Sequence, residues 1–143
     1  MNNIEAFNLA VKEILGVCYE GFPRPVCVNH YYIAGKVSEY FSEFQFDNES
    51  SMELHKLCRS TADWLEKADY IWAEHKTAQE FGSVTLTPKA FELLNLIPES
   101  LKSSESLGSI LIGGVKETSK AGALAAIRVL LSEGVKLAIK SAT

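Results

Sequence analysis

Two stretches decide how this chain is read: Thr61-Ala62-Asp63-Trp64-Leu65-Glu66-Lys67-Ala68-Asp69-Tyr70-Ile71-Trp72 and Gly82-Ser83-Val84-Thr85-Leu86-Thr87-Pro88-Lys89-Ala90-Phe91-Glu92-Leu93-Leu94. In the first, an apolar pattern of helical period runs to Ala68 and ends at Asp69, and Tyr70-Ile71-Trp72 then reads as a strand. In the second, Ser83-Val84-Thr85-Leu86 alternates in polarity as a second strand, so Ala73 to Gly82 is expected to form the hairpin between them. Thr87-Pro88 marks a helix start. Threonine caps the first free amides, and proline is tolerated at the first helical position, where its missing N–H is not needed. That helix directs Phe91, Leu93 and Leu94 inward and stops before Pro98.

Upstream, the polar run Asp47-Asn48-Glu49-Ser50-Ser51 reads as a loop, and Ser50 with Glu53 three residues later fits a capping box. The helix it opens buries Leu54, Leu57, Cys58, Thr61, Leu65 and Ala68, with Trp64 on the flank. Before it, Asn29 caps a helix whose face carries Ile33, Val37, Tyr40, Phe41 and Phe44; Gly35 weakens that helix by roughly 1 kcal/mol relative to alanine. Phe22-Pro23-Arg24-Pro25 forces extended backbone into Val26 to Val28. From Asn3, the residues Ile4, Phe7, Val11, Ile14, Leu15 and Cys18 place one apolar stripe on a first helix ending between Gly16 and Gly21.

Downstream, residues 99–106 are the best linker candidate, being rich in serine and charge. Residues 107–143 are rich in glycine, alanine and aliphatics, and Thr118 is placed to cap a long final helix. One side of it carries Leu124, Ile127, Leu131, Val135 and Ala138, while Lys120, Arg128, Lys136 and Lys140 lie elsewhere on the wheel. Such a stripe needs cover. A homodimer contact through Leu124, Ile127, Leu131 and Val135 supplies it, as does docking onto the protein's own first helix. A membrane-surface role for this cationic helix is a third, weaker alternative.

The chain has 143 residues, enough for one compact domain, and 47% apolar with 22% charged composition excludes disorder as its main state. The net charge of -4 has the wrong sign for a general polyanion binder. Residues 1–50 hold three bases and seven acids, residues 51–103 six and eight, and residues 104–143 five and three, so only the C-terminal part is cationic. The start Met1-Asn2-Asn3-Ile4-Glu5 lacks a basic region and an apolar run of signal-peptide type, and no segment is apolar enough to span a bilayer, so a cytoplasmic protein is expected. Cys18, Cys27 and Cys58 have no disulfide-scaffold spacing and are expected as small buried hydrophobes.

The order helix, short strand, helix, helix, strand, hairpin loop, strand, helix, carried by the two quoted stretches, resembles the winged helix-turn-helix superfamily over about residues 3–97. In that family a glycine is common after the third helix; Ala68-Asp69 stands there in this chain. The resemblance implies a mainly α fold with a small β-hairpin wing: a winged-helix-like domain over 1–98, a linker over 99–106, and a helical dimerisation or docking extension over 107–143. It further implies that the third helix would enter a DNA major groove and the wing would touch the backbone, with Lys56, Arg59, Lys67 and Lys76 as the available cations. Glu53, Asp63, Glu66, Glu74 and Glu80 offset them. Winged helices are also protein-binding modules, and the acids Glu39, Glu43, Asp47, Glu49 and Glu53, clustered around the loop before the third helix, suit a cationic protein partner.

Candidate chemistry is sparse. Cys27-x-x-His30 with His55-x-x-Cys58 is the sharpest zinc hypothesis, since the second pair shares a helix face at i, i+3, but Cys58 lies on the apolar stripe and Cys-x-x-His is not a usual opening pair. Cysteine–histidine catalysis from Cys27 with His30 or His55 is disfavoured against a structural cysteine. Glu39 and Glu43, one turn apart on the second helix, read as a solvated face rather than an acid/base pair. No nucleophile elbow, phosphate loop or zincin motif is present. The expectation is a protein with no cofactor and no catalytic site. Trp64, Tyr70 and Trp72 form either a partner-binding patch or packing under the wing. In size, charge and lack of catalytic motifs the chain is similar to small immunity or antitoxin proteins that mask a basic nuclease toxin; the competing expectation is a dimeric DNA-binding regulator.

Overall fold

Asn2 opens the first helix by accepting hydrogen bonds from the Ile4 and Glu5 amides at 2.8 and 3.2 Å. In the computed structural model, which describes residues 1–101, 104–113 and 119–142, this helix, α1, runs Asn3–Gly21. The spacing of its large apolar residues predicts a single buried stripe. Instead Leu9, Ala10, Val11 and Lys12 are all buried, and four consecutive residues at 100° each sweep round the whole helix. Burial on every side follows from what packs there: α2 (His30–Ser38) and α3 (Asn48–Lys67), together with α5 (Leu107–Ile112) and α6 (Lys120–Ala142). The buried Lys12 ammonium meets the Glu13 carboxylate at 2.8 Å and lies 5.7 Å from the Tyr40 ring centre.

The sheet has three antiparallel strands in the order β1 (Val26–Asn29), β3 (Glu80–Leu86), β2 (Ile71–Lys76). Ile71 pairs with Leu86 and Lys76 with Phe81, so the hairpin is longer and its turn tighter than the alternation predicts: most of Ala73 to Gly82 is strand. Thr77 makes the turn by holding the Gln79 and Glu80 amides on its hydroxyl. Where α3 gives way to β2, Asp69 takes φ of 67°. A short polar side chain tolerates this left-handed geometry, which supplies the reversal without glycine. Thr87 caps α4 (Pro88–Leu94) as expected, accepting from the Ala90 amide at 3.2 Å and donating to the Asp69 carbonyl at 2.7 Å. Leu93 and Leu94 are buried, whereas Phe91 is at the surface, stacked on Phe22 with ring centres 4.4 Å apart.

Three boundaries differ from the sequence reading. Helix α2 ends at Ser38, so Tyr40, Phe41 and Phe44 belong to the connector that follows it. Helix α3 is capped by Asp47 rather than by a Ser50–Glu53 box: the Asp47 carboxylate accepts from the Ser50 amide at 2.7 Å. The segment 99–106 does not separate a second body, since Leu107, Leu111, Leu124, Ile127 and Leu130 share one core with α1 and the sheet, and the Leu107 amide bonds to the Leu96 carbonyl at 2.8 Å. Thr118 lies outside the described residues. Ser119 accepts from the Gly122 amide at 3.1 Å, where α6 begins.

Leu124 and Ile127 are therefore covered by the chain itself and not free for a second copy, Leu131 is half-buried, and Val135 is 60% exposed. Among the described residues no helix is long and apolar enough to cross a membrane. Ile127→Ala is expected to cost about 2–5 kcal/mol in urea unfolding, and Val135→Ala less than about 0.5 kcal/mol. Equal, negligible effects would mean that α6 is not part of the core.

Candidate functional site

The α3 helix and the β2–β3 hairpin border a surface groove lined by Lys56, Arg59, Ser60, Asp63, Lys76 and Phe81, so three of the four expected DNA-contacting cations come together. Lys67 does not line it. Each lysine has a carboxylate partner: Lys56 meets Glu53 at 3.5 Å, Lys67 meets Asp63 at 2.9 Å, and Lys76 meets Glu66. Asp63 is held below the usual carboxylate range by its bond to Lys67, and Lys76 above the usual lysine range by its bond to Glu66. Among the described residues Arg59 has no carboxylate within ion-pair distance. From Asn48 to Gly82 the sequence has four Lys or Arg against seven Asp or Glu.

The five acids singled out from the sequence are all exposed and lie on the α2–α3 connector or the first turns of α3. Glu39 follows the last residue of α2 and Glu43 lies in the connector, so the two do not share a helix. Asp47 does structural work as the α3 cap, which lowers its pKa through the Ser50 amide bond. Glu49 stands in the first turn of α3, where the helix dipole favours a negative charge. Glu53 is tied to Lys56. Between Lys36 and Lys56 there is no other Lys or Arg.

Beside these acids the structure places groups that the sequence reading passed over. A cavity of about 140 Å³ opens between α2, the connector and α3, lined by Tyr31, Ala34, Gly35, Phe44, Phe46 and Leu54 among others. Phe46 is 79% exposed. It is braced edge-on by Phe44 with ring centres 5.0 Å apart, and Tyr31 is stacked on His55 at 3.8 Å. In the sequence Phe44 reads as an extension of the α2 stripe. The only available signal for this site is an aromatic side chain inside an unbroken acidic run. Trp64, Tyr70 and Trp72 divide between the two roles weighed for them. Tyr70 is buried, Trp64 packs edge-on against Phe7 at 5.2 Å, and Trp72 is 55% exposed on β2.

The four candidate zinc ligands are not assembled. Among the described residues no three His, Cys, Asp or Glu side chains come together to hold a metal ion. Cys58 and Cys18 are buried, which pushes both thiols up to about 12. Cys27 departs from its expected burial: it is exposed, and its thiol donates to the Glu80 carboxylate at 2.7 Å, a bond that raises its pKa.

His30 and His55 are buried with ring centres 5.9 Å apart, and no nitrogen of either ring meets a hydrogen-bond partner among the described residues. Burial, with the neighbouring His55 and Arg59, pushes His30 down to about 4 against the opposing charge of Glu80; burial and Arg59 lower His55 as well. The unfolded chain, with histidine near 6.5, then binds more protons than the folded one between pH 6.5 and 4, so folding stability falls as pH falls through that window and levels off below it. For His30 the expected loss is about 3 kcal/mol. Urea midpoints measured from pH 7 to pH 4 check this: the wild type should lose stability, and His30→Leu should flatten the curve. An unchanged slope in the variant would contradict it. The sequence matches no family model and no curated protein, and no solved structure matches the chain.

Proposed function

We propose that this chain is a non-catalytic winged-helix protein that binds a cationic protein partner through the acidic α2–α3 connector. The winged-helix reading is supported by the order α1-β1-α2-α3-β2-β3 and by the first strand pairing with the last, giving β1-β3-β2. One observation carries the functional part. Five carboxylates, Glu53 among them already tied to Lys56, occupy the span between Lys36 and Lys56 without an intervening Lys or Arg, next to exposed aromatic surface, while the lysines of α3 and the hairpin are each bonded to a carboxylate. Such a surface attracts a basic polypeptide by steering and by complementary contacts. A small acidic protein that covers a basic nuclease toxin in the cytoplasm, in the manner of an immunity protein or antitoxin, is the biological role this chemistry suits.

A second reading, a DNA-binding regulator, is favoured by one feature: Lys56, Arg59 and Lys76 line a common groove between α3 and the hairpin. Exposed ion pairs are worth no more than about 1 kcal/mol each, so phosphate can compete for these lysines. The excess of acids around the groove argues against it, because duplex binding draws most of its affinity from the summed phosphate contacts.

Coexpression with the product of the adjoining reading frame, followed by tandem purification, tests the first reading. A basic partner should be retained by the wild type, and the double variant Glu43→Lys with Glu49→Lys should weaken the complex at least tenfold and make its association slower. Retention of the same partner with unchanged affinity would overturn the assignment of the connector.

A further inference from the structure

Gly35 lies inside α2, where glycine is a poor helix former. At Gly108 and Gly134 a Cβ would collide with Tyr19 and Tyr70, so packing demands those glycines. At Gly35 an added Cβ meets nothing within 4 Å among the described residues. Its lack of a side chain serves no contact in the fold. It lines the cavity of about 140 Å³ between α2 and the connector.

The walls of that cavity are held in place before anything enters. Tyr31 is stacked on buried His55 at 3.8 Å and Phe46 is braced by Phe44 at 5.0 Å. Ala34 and Leu54 add apolar lining. The volume is close to the about 150 Å³ in which an engineered apolar cavity holds benzene, the scale of one side chain. The chain flanking the cavity carries Glu39, Glu43, Asp47 and Glu49, next in sequence or close to its lining residues Ser38, Phe44, Phe46 and Ser51. Apolar walls in a segment rich in carboxylates match a long side chain with an apolar stem and a cationic head, which buries the one and keeps the other in water.

We infer that the cavity at Gly35 is the anchor pocket of the partner interface and takes a single arginine or lysine side chain of a basic polypeptide. This rests on the reading of the connector as a cationic-partner surface and names what that surface grips. The stem lies against Phe46 and Tyr31 and the charged head faces the connector acids.

The test uses the full chain and two fluorescein-labelled peptides, one alternating arginine and serine and one alternating glutamate and serine. Binding is followed by anisotropy and by amide shifts in a nitrogen-15 spectrum. The wild type should bind the arginine peptide alone, with shifts centred on Gly35, Phe46 and Leu54. Gly35→Leu, which fills the cavity, should bind it at least tenfold more weakly while its thermal midpoint stays at or above that of the wild type. Gly35→Ala should bind within threefold of wild type. Phe46→Ser, at an exposed position, should also lose at least fivefold, and decides the matter if Gly35→Leu does not fold. Equal binding of the arginine peptide by wild type and the pocket variants would overturn the pocket while leaving the acidic surface as the binding face. Binding of neither peptide by the wild type, or of both equally, would overturn the pocket and the connector reading together.

Discussion

The enclosure of α1 is the constraint on which the rest of the molecule depends. A helix buried around its whole circumference has no solvent face to set its orientation; its neighbours do that instead. Helices α2 and α3 pack on it along with the C-terminal α5 and α6. The final helix is thus a structural element first. Its buried residues Leu124, Ile127 and Leu130 complete the cover of α1, and its exposed C-terminal residues Val135 and Ile139 lie beyond that duty. The same packing draws in Lys12, whose charge is balanced by the adjacent Glu13 carboxylate.

Local signals in the sequence suffice where one or two residues decide the backbone. Thr87-Pro88 starts α4, Asn29 caps α2 by accepting from the Tyr32 amide at 3.0 Å, and Tyr70 to Leu86 contains two paired strands. They do not suffice where a local pattern competes with a tertiary one. Apolar residues beyond Ser38 keep helical spacing, yet Phe41 and Phe44 reach the core and the cavity wall from a connector. Asp47 and not Ser50 caps α3; both are good cap residues, and the sequence pattern alone does not choose between them. The stripe on α6 was legible, and so was its need for cover, but a periodicity does not say whether the cover comes from the same chain or another. The five connector acids were legible as a charge run. The cavity beside them was not, because it depends on α2 ending early and on Phe46 being carried outside the core.

Scaffold and function part company at the surface. The face of α3 that borders the hairpin has the shape of a groove and a few cations, but acids outnumber them along the α3–hairpin segment. The connector face has the reverse character: an excess of exposed carboxylates, exposed aromatic rings and a preformed cavity. Two rigid supports, the Asp47 cap of α3 and the His55–Tyr31 stack, hold that face on the body of the fold. What separates the two faces is therefore the sign of the charge each can recognise.

Duplex DNA binding, measured by anisotropy as salt is raised from 50 to 200 mM, tests that claim most directly. Weak binding that shows no sequence preference and vanishes by 150 mM salt is expected. Saturable, sequence-selective binding in the nanomolar range at 150 mM salt, weakened tenfold or more by Arg59→Ala, would contradict it.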